Sequence, residues 1–215
     1  TGEFIKYLSN TSLACLISYA NEMSMAADAI GGIDVANAFR ILHMDKRWQT
    51  GTIRAYFYPG CGYGGYCLPK DTNAFYARTK DSGFDGQMLK NTIRLNNEMP
   101  EVTAQRIIRA AGEDRETCIG ILGLSFNPGS DDVRDTPSAK IIQALNEAGY
   151  QNVIAYDPVA MEEFGRYYQV ACQCVESYEK LLEQADTVAI TTAWPMFASV
   201  KEKTNKPVVD CRYML

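Results

Sequence analysis

Cys67 follows a run of glycines, Gly60-Cys61-Gly62-Tyr63-Gly64-Gly65, and directly precedes Leu68-Pro69-Lys70-Asp71, where a proline in a first turn predicts the start of a helix. A helix N-terminus and a neighbouring Lys70 both favour a thiolate, the form of cysteine that attacks carbonyl carbon and makes covalent intermediates. The competing role is that of a buried structural cysteine, which is the reading for Cys61, since no helix follows it directly. Lys6 and Asn10 are four apart in a helical pattern and so share a face. Taken alone, such a pair is more often a solvated surface. In the second half, Gly123-Leu124-Ser125-Phe126-Asn127-Pro128 follows a strand pattern and Asp131-Asp132-Val133-Arg134 leads into a helix. Open α/β sheets bind ligands at the carboxyl ends of their strands, so Arg134 can offer a bidentate guanidinium to a phosphate there, or else pair within its own charged loop. Arg212, in Asp210-Cys211-Arg212, stands at the end of another strand on the same edge and is a second candidate.

The same glycine run spells G-x-G-x-x-G, but a dinucleotide fingerprint follows a strand and has an acidic residue about 20 positions on. Here the preceding segment is helical and aromatic. The run is expected to let some ligand approach backbone N–H groups, not to cradle a dinucleotide. The single histidine, His43, leaves no His-based triad, and with seven irregularly spaced cysteines it makes no Cys/His metal set, so no metal is expected. The cysteines are read mostly as small buried hydrophobes, in a chain too large to need disulfide staples.

The elements that must position these residues follow from periodicity. Phe4, Ile5, Leu8, Ser12, Cys15, Leu16, Tyr19 and Met23 recur at spacings of three and four, which predicts a helix through the first thirty residues, already under way where the chain begins. That abrupt start predicts further sequence upstream. A shorter helix is expected at about 34–48, an irregular loop from Tyr56 to Leu68, and a long helix at about 87–111 that Pro100 should interrupt or bend. Beyond Gly112, strand patterns at 117–122, 153–156, 186–191 and 207–209 alternate with a helical one at 137–148. The expected class is therefore α/β: an all-helical central domain over 1–113, then a Rossmann-like parallel α/β domain over 114–215, joined near Ala111-Gly112-Glu113-Asp114. With 47% hydrophobic residues the chain can fill such cores, and a net charge of −5 argues against a nucleic-acid partner. No apolar stretch approaches the roughly 18 residues of a membrane span and no signal peptide is present, so a cytoplasmic protein without membrane attachment is expected.

Three motifs in order, Phe4-Ile5-Lys6-Tyr7-Leu8-Ser9-Asn10-Thr11, Gly62-Tyr63-Gly64-Gly65-Tyr66-Cys67-Leu68-Pro69-Lys70-Asp71, and Gly123-Leu124-Ser125-Phe126-Asn127-Pro128 with Asp131-Asp132-Val133-Arg134, closely resemble the UDP-glucose/GDP-mannose dehydrogenases. The resemblance spans essentially the whole chain, and Gly-Gly-x-Cys-x-Pro-Lys-Asp is its most specific part. It implies an N-terminal NAD-binding Rossmann domain, taken to be absent here, followed by a helical domain that forms a homodimer and a sugar-nucleotide domain. It also implies oxidation of a nucleotide sugar's primary alcohol to a carboxylate in two NAD-dependent steps, through a thiohemiacetal and a thioester on Cys67. Lys6 and Asn10 would then stabilise charge on oxygen and position water, and Asp71 would serve water and proton transfer beside the cysteine. By the same resemblance, Tyr56, Phe57, Tyr58, Gly60, Gly62 and Gly64 would line the UDP-sugar site together with Phe126, Asn127 and Arg212. Lys70 and Arg134 would contact NAD, and Arg47, or Arg54 in its place, would reach the neighbouring subunit's substrate. Asn127 departs from the family's usual lysine, keeping a hydrogen bond but not the charge. The form Gly65-Tyr66-Cys67-Leu68-Pro69-Lys70-Asp71 favours UDP-glucose over GDP-mannose, with a sister dehydrogenase acting on UDP-N-acetylmannosamine or GDP-mannose as the alternative that the pocket shape would decide. The 215 residues by themselves are expected to act as a non-catalytic UDP-sugar-binding and dimerisation module, because hydride transfer needs a cofactor site they do not supply.

Overall fold

The computed structural model describes residues 2–48 and 53–215, the side chains of Ile53 and Arg54 apart. It divides into two compact units, Thr1–Met99 and Pro100–Leu215.

The first unit is helical: α1 (Gly2–Ile30), α2 (Val35–Leu42), α3 (Ile53–Tyr56), α4 (Cys67–Asp81) and the first half of α5 (Gln87–Ala111). The period of three and four does make α1 a helix, yet it buries the opposite face. Thr11, Ala14, Ser18, Ala20, Asn21, Ser24 and Ala27 are covered, while Phe4, Ile5, Leu8, Tyr19, Met23 and Ile30 are exposed. Small residues let neighbouring backbones come close: Ser18 Oγ donates to the Thr92 carbonyl of α5, and Tyr7 stacks on Phe75 of α4 with centroids 5.3 Å apart. Asp34 caps α2 by accepting from Asn37 N at 2.9 Å, which satisfies one of the open N–H groups of the first turn.

Of the two expected effects of Pro100, interruption does not occur: α5 runs through it without a break. Leu95, Met99, Thr103, Ala104 and Ile107 are buried on both sides of it, and this packing offsets the one helical hydrogen bond that proline denies the Asn96 carbonyl. The junction expected at 111–114 is the C-terminal end of this same helix.

The second unit is a five-stranded, wholly parallel sheet in the order β3-β2-β1-β4-β5, made of β1 (Ile119–Leu122), β2 (Val153–Tyr156), β3 (Gln173–Cys174), β4 (Thr187–Ile190) and β5 (Val208–Asp210). The crossovers are α6 (Pro137–Glu147), α7 (Met161–Tyr167), α8 (Tyr178–Gln184) and the single turn α9 (Val200–Lys203). β1 and β4 are buried throughout, as strands covered on both faces should be. Leu122, Ile154, Val188 and Ile190 pack with Tyr178, Leu181, Phe197 and Val200 into one core. α8 lies so close to β1 that a Cβ on Gly120 would stand 2.6 Å from Leu181 Cδ2. The strand order reverses between β1 and β4, which places a crevice at their carboxyl ends.

All seven cysteines are free, but only Cys61, Cys118 and Cys211 are fully buried, whereas Cys67 and Cys174 are exposed. Burial pushes the Cys172 thiol up to about 12, with Cys174 adding to the effect. Among the described residues no helix is long and apolar enough to cross a membrane, and no group of three or more His, Cys, Asp or Glu could hold a metal ion.

Candidate active site

Cys67 is the first residue of α4 and is exposed, with Pro69 in the same first turn. Asp71 lies one turn further along the same face and is almost completely buried. Its carboxylate collects three donors: Lys70 Nζ at 2.6 Å on Oδ1, then Asn10 Nδ2 at 2.6 Å and Lys6 Nζ at 3.4 Å on Oδ2. The structure therefore brings together Lys6, Asn10, Lys70 and Asp71, two from α1 and two from the helix that begins with Cys67. Burial alone would push the Asp71 carboxyl up, but the hydrogen bonds from Lys70, Asn10 and Lys6 outweigh it and hold the group below the ordinary carboxylate range. Lys70 is raised in return by its bond to Asp71, and it stands 5.3 Å from the centre of the Tyr66 ring. Such a cluster presents an ammonium, an amide and an ionised carboxylate beside a thiol.

Because the native carboxyl titrates below the unfolded one, Asp71 gives its full stabilisation above the unfolded value near about 3.9. That stabilisation is lost as the pH falls through the lower native value. Asp71→Asn is expected to flatten the acid limb of the pH–stability curve, measured by urea unfolding from about pH 6 to about pH 3. An unchanged limb would mean that the cluster does not govern this carboxyl.

The loop before α4 is fastened by side chains that sequence patterns did not reveal. Asn21 Oδ1 accepts from Gly60 N at 2.7 Å, Asn96 Oδ1 accepts from Tyr63 N at 2.7 Å, and Asn96 Nδ2 donates to Tyr63 O at 3.1 Å. His43 Nε2 lies 2.9 Å from the Phe57 carbonyl. Gly62 needs its identity twice, for a φ of +99° and because a Cβ there would stand 2.9 Å from Asn96 Oδ1. Gly60 and Gly64 are buried, Tyr56 closes α3, and Tyr58 packs beside His43 and Phe39. Phe57 is part of the core, in ring contact with Trp48, Phe39 and Tyr19, so its side chain is placed to support the loop. The preceding element is the helix α3 and the N–H groups of Gly60 and Tyr63 are already engaged, so this run does not fit the pyrophosphate of NAD.

In the α/β unit the turn after β1 is gripped from three sides. The buried Asp157, just beyond β2, accepts on Oδ2 from Leu124 N, Ser125 N, Ser125 Oγ and Trp194 Nε1, and on Oδ1 from Val159 N and Ala160 N. Thr192 Oγ1 donates to Ser125 O at 2.6 Å and Thr136 Oγ1 to Leu124 O at 2.8 Å. This held turn carries Phe126, half-buried, and Asn127, exposed, at the carboxyl end of the central strand. Arg134 forms a two-point contact with Asp132 at 2.9 and 2.7 Å and lines a cavity of about 400 Å³ with Asp131, Val133, Glu163 and Tyr167. Gly123 and Gly129 are separated by five residues in the connection from β1 to α6, which is not the G-x-G-x-x-G spacing of a dinucleotide fingerprint. Arg212 follows β5, and its buried Nε has no hydrogen-bond partner among the described residues. Arg47 is bound two residues back to Asp45, whose carboxyl its hydrogen bonds bring down to about 2. The Arg54 side chain lies outside the described residues.

A Rossmann-like parallel unit, joined in one chain to a helical unit with a cysteine at a helix start, is the class that fold and site define. Residues 1–98 match the UDP-glucose/GDP-mannose dehydrogenase family, central domain, and residues 120–215 match the same family's UDP binding domain. The chain belongs to the UDP-glucose/GDP-mannose dehydrogenase family. It is 33% identical over 201 residues to a UDP-glucose 6-dehydrogenase of Rhizobium meliloti, covering 93% of this chain and 44% of that protein. A UDP-glucose 6-dehydrogenase of Rickettsia bellii is 35% identical over 202 residues, covering 93% of this chain and 45% of its own length. Among solved structures, a UDP-glucose dehydrogenase from Pyrobaculum islandicum superposes with a TM-score of 0.87 at 37% identity, over 98% of this chain and 47% of that one. The chain thus spans less than half the length of these relatives.

Proposed function

We propose that this sequence carries the substrate-handling and covalent chemistry of an enzyme that oxidises UDP-glucose to UDP-glucuronate, with Cys67 as nucleophile. The observation that carries this reading is the convergence of Lys6, Asn10 and Lys70 on the buried Asp71, one helical turn from an exposed Cys67. The Cys67 thiolate adds to the carbonyl carbon of the intermediate aldehyde, and Lys6 Nζ and Asn10 Nδ2 stabilise the oxygen on which charge develops. After oxidation of the adduct to a thioester, water attacks its carbonyl carbon and the thiolate leaves. Asp71, kept ionised by its donors, receives the proton from that water. NAD, when bound, supplies the hydride acceptor. Lys70 and Arg134 are the proposed contacts to it; Lys70 pairs with Asp71 and Arg134 with Asp132.

In the α/β unit Phe126, Asn127 and Arg212 are proposed contacts to the UDP-sugar; in the helical unit Tyr56, Tyr58, Gly60, Gly62 and Gly64 are proposed contacts to it through their backbone. Arg47 is proposed to reach the substrate of a second subunit. A homodimer is supported by α1, whose exposed Ile5, Leu8, Tyr19, Met23 and Ile30 fall on one stripe of the helix. A cytoplasmic setting is supported by seven cysteines that are all free.

A second reading, that these 215 residues bind and dimerise without turnover, is favoured by the lack of a dinucleotide cradle among the described residues. Calorimetric titration with UDP-glucose, with GDP-mannose, UDP-N-acetylmannosamine and NAD as comparisons, tests the substrate. Saturable binding of UDP-glucose in preference to the other sugars is expected. No heat from any nucleotide sugar would sink the proposal, and preference for another sugar would move the chain to a sister specificity.

A further inference from the structure

The chemistry proposed above leaves two buried amides without a task. Asn21 is completely buried and Asn96 nearly so. Both direct a side-chain oxygen at a backbone N–H of the glycine-rich loop, Asn21 from α1 to Gly60 and Asn96 from α5 to Tyr63. Asn96 also donates to the Tyr63 carbonyl, so this one residue is gripped on both sides. A glycine-rich loop has wide conformational freedom, because glycine enters left-handed backbone as readily as right-handed, as Gly62 and Gly65 do here. Nothing in its glycines holds Cys67 in one place. Apolar packing cannot supply what a backbone N–H requires, whereas an amide oxygen at 2.7 Å does.

Asn21 Nδ2 is itself buried and has no partner among the described residues. Space filling alone does not explain an amide kept at that cost.

We infer that Asn21 and Asn96 are positioning residues for Cys67: by fixing Gly60 and Tyr63 they set the backbone that enters α4, and with it the place of the thiol beside the Asp71 cluster. The inference rests on the proposed covalent role of Cys67 and adds to it the residues that hold the nucleophile in register with its substrate.

Iodoacetamide modification of Cys67, followed by peptide mass spectrometry in the presence and absence of saturating UDP-glucose, tests this. In the unaltered chain, bound UDP-glucose is expected to slow modification of Cys67 about tenfold or more. In Asn21→Ala and Asn96→Ala, with UDP-glucose raised to saturation for each variant by its own calorimetric Kd, the protection should fall below about threefold. Leu95→Ala, a buried change on the same helix that removes no bond to the loop, should keep the protection. If an alanine variant does not fold, Asn→Ser at that position, too short to reach the loop backbone, is read in the same way. Full protection in the asparagine variants, or equal loss in Leu95→Ala, overturns the positioning role and leaves the proposed function standing. Absence of protection in the unaltered chain overturns both.

Discussion

Cys67→Ser is expected to leave UDP-glucose binding within a few-fold of its original strength and to reduce formation of the acid by about 10³-fold or more, the order seen when a covalent nucleophile is removed. The measurement requires a form of the protein able to reduce NAD, with NAD reduction and the acid product followed together. The size of the effect has a chemical reason. Serine presents a hydroxyl, far less acidic than a thiol, so it is hardly ionised at neutral pH and attacks a carbonyl carbon poorly without strong activation. Acid formation by the serine variant at near the original rate would remove Cys67 from the mechanism and leave the cluster as a structural ion network.

The second large effect is on the fold. Gly123 leaves β1 with a φ of +104°, and a Cβ there would meet Thr192 Cβ at 2.3 Å, its Oγ1 at 2.6 Å and its backbone N at 2.7 Å. Two of those atoms cannot withdraw without moving the end of β4, and Thr192 Oγ1 is holding Ser125 O. Gly123→Ala therefore combines backbone strain of about 1–2 kcal/mol with overpacking of about 1–3 kcal/mol. The expected loss is about 2–5 kcal/mol, a large part of what a domain of this size has. Urea unfolding measures it directly, and a loss below about 1 kcal/mol would mean that the β1 turn is far more yielding than its contacts imply.

Much of this was readable beforehand, for identifiable reasons. The long helices and the four longer strands announce themselves because a period of 3.6 or a short apolar run is repeated over many residues. β3 escaped because two residues carry no period, and α7 and α8 because seven-residue helices hold barely two turns of pattern. The face of α1 could not be read from apolar spacing: there the large side chains remain outside and the small ones fit between helices. In the candidate site, Lys6, Asn10, Lys70 and Asp71 were legible through their motif, whereas the meeting of two helices at the Asp71 carboxylate was not. Asn21, His43, Asn96 and Asp157 were not legible. Each acts through one or two polar atoms on a distant backbone, and a contact of that kind, 33 or more residues apart for three of them, leaves no spacing to recognise.

The strand order has a consequence for how the molecule is made. β1 is the middle of the sheet, yet its partner on one side, β4, lies some 68 residues further along, as the bond from Cys118 N to the Asp186 carboxylate measures. At about 5–20 residues per second, the central strand waits roughly 3–14 s after its own synthesis before that edge can be covered. Throughout this interval the most hydrophobic strand of the unit carries a bare row of N–H and C=O groups, the surface on which a nascent chain is most easily paired wrongly or taken up by a chaperone.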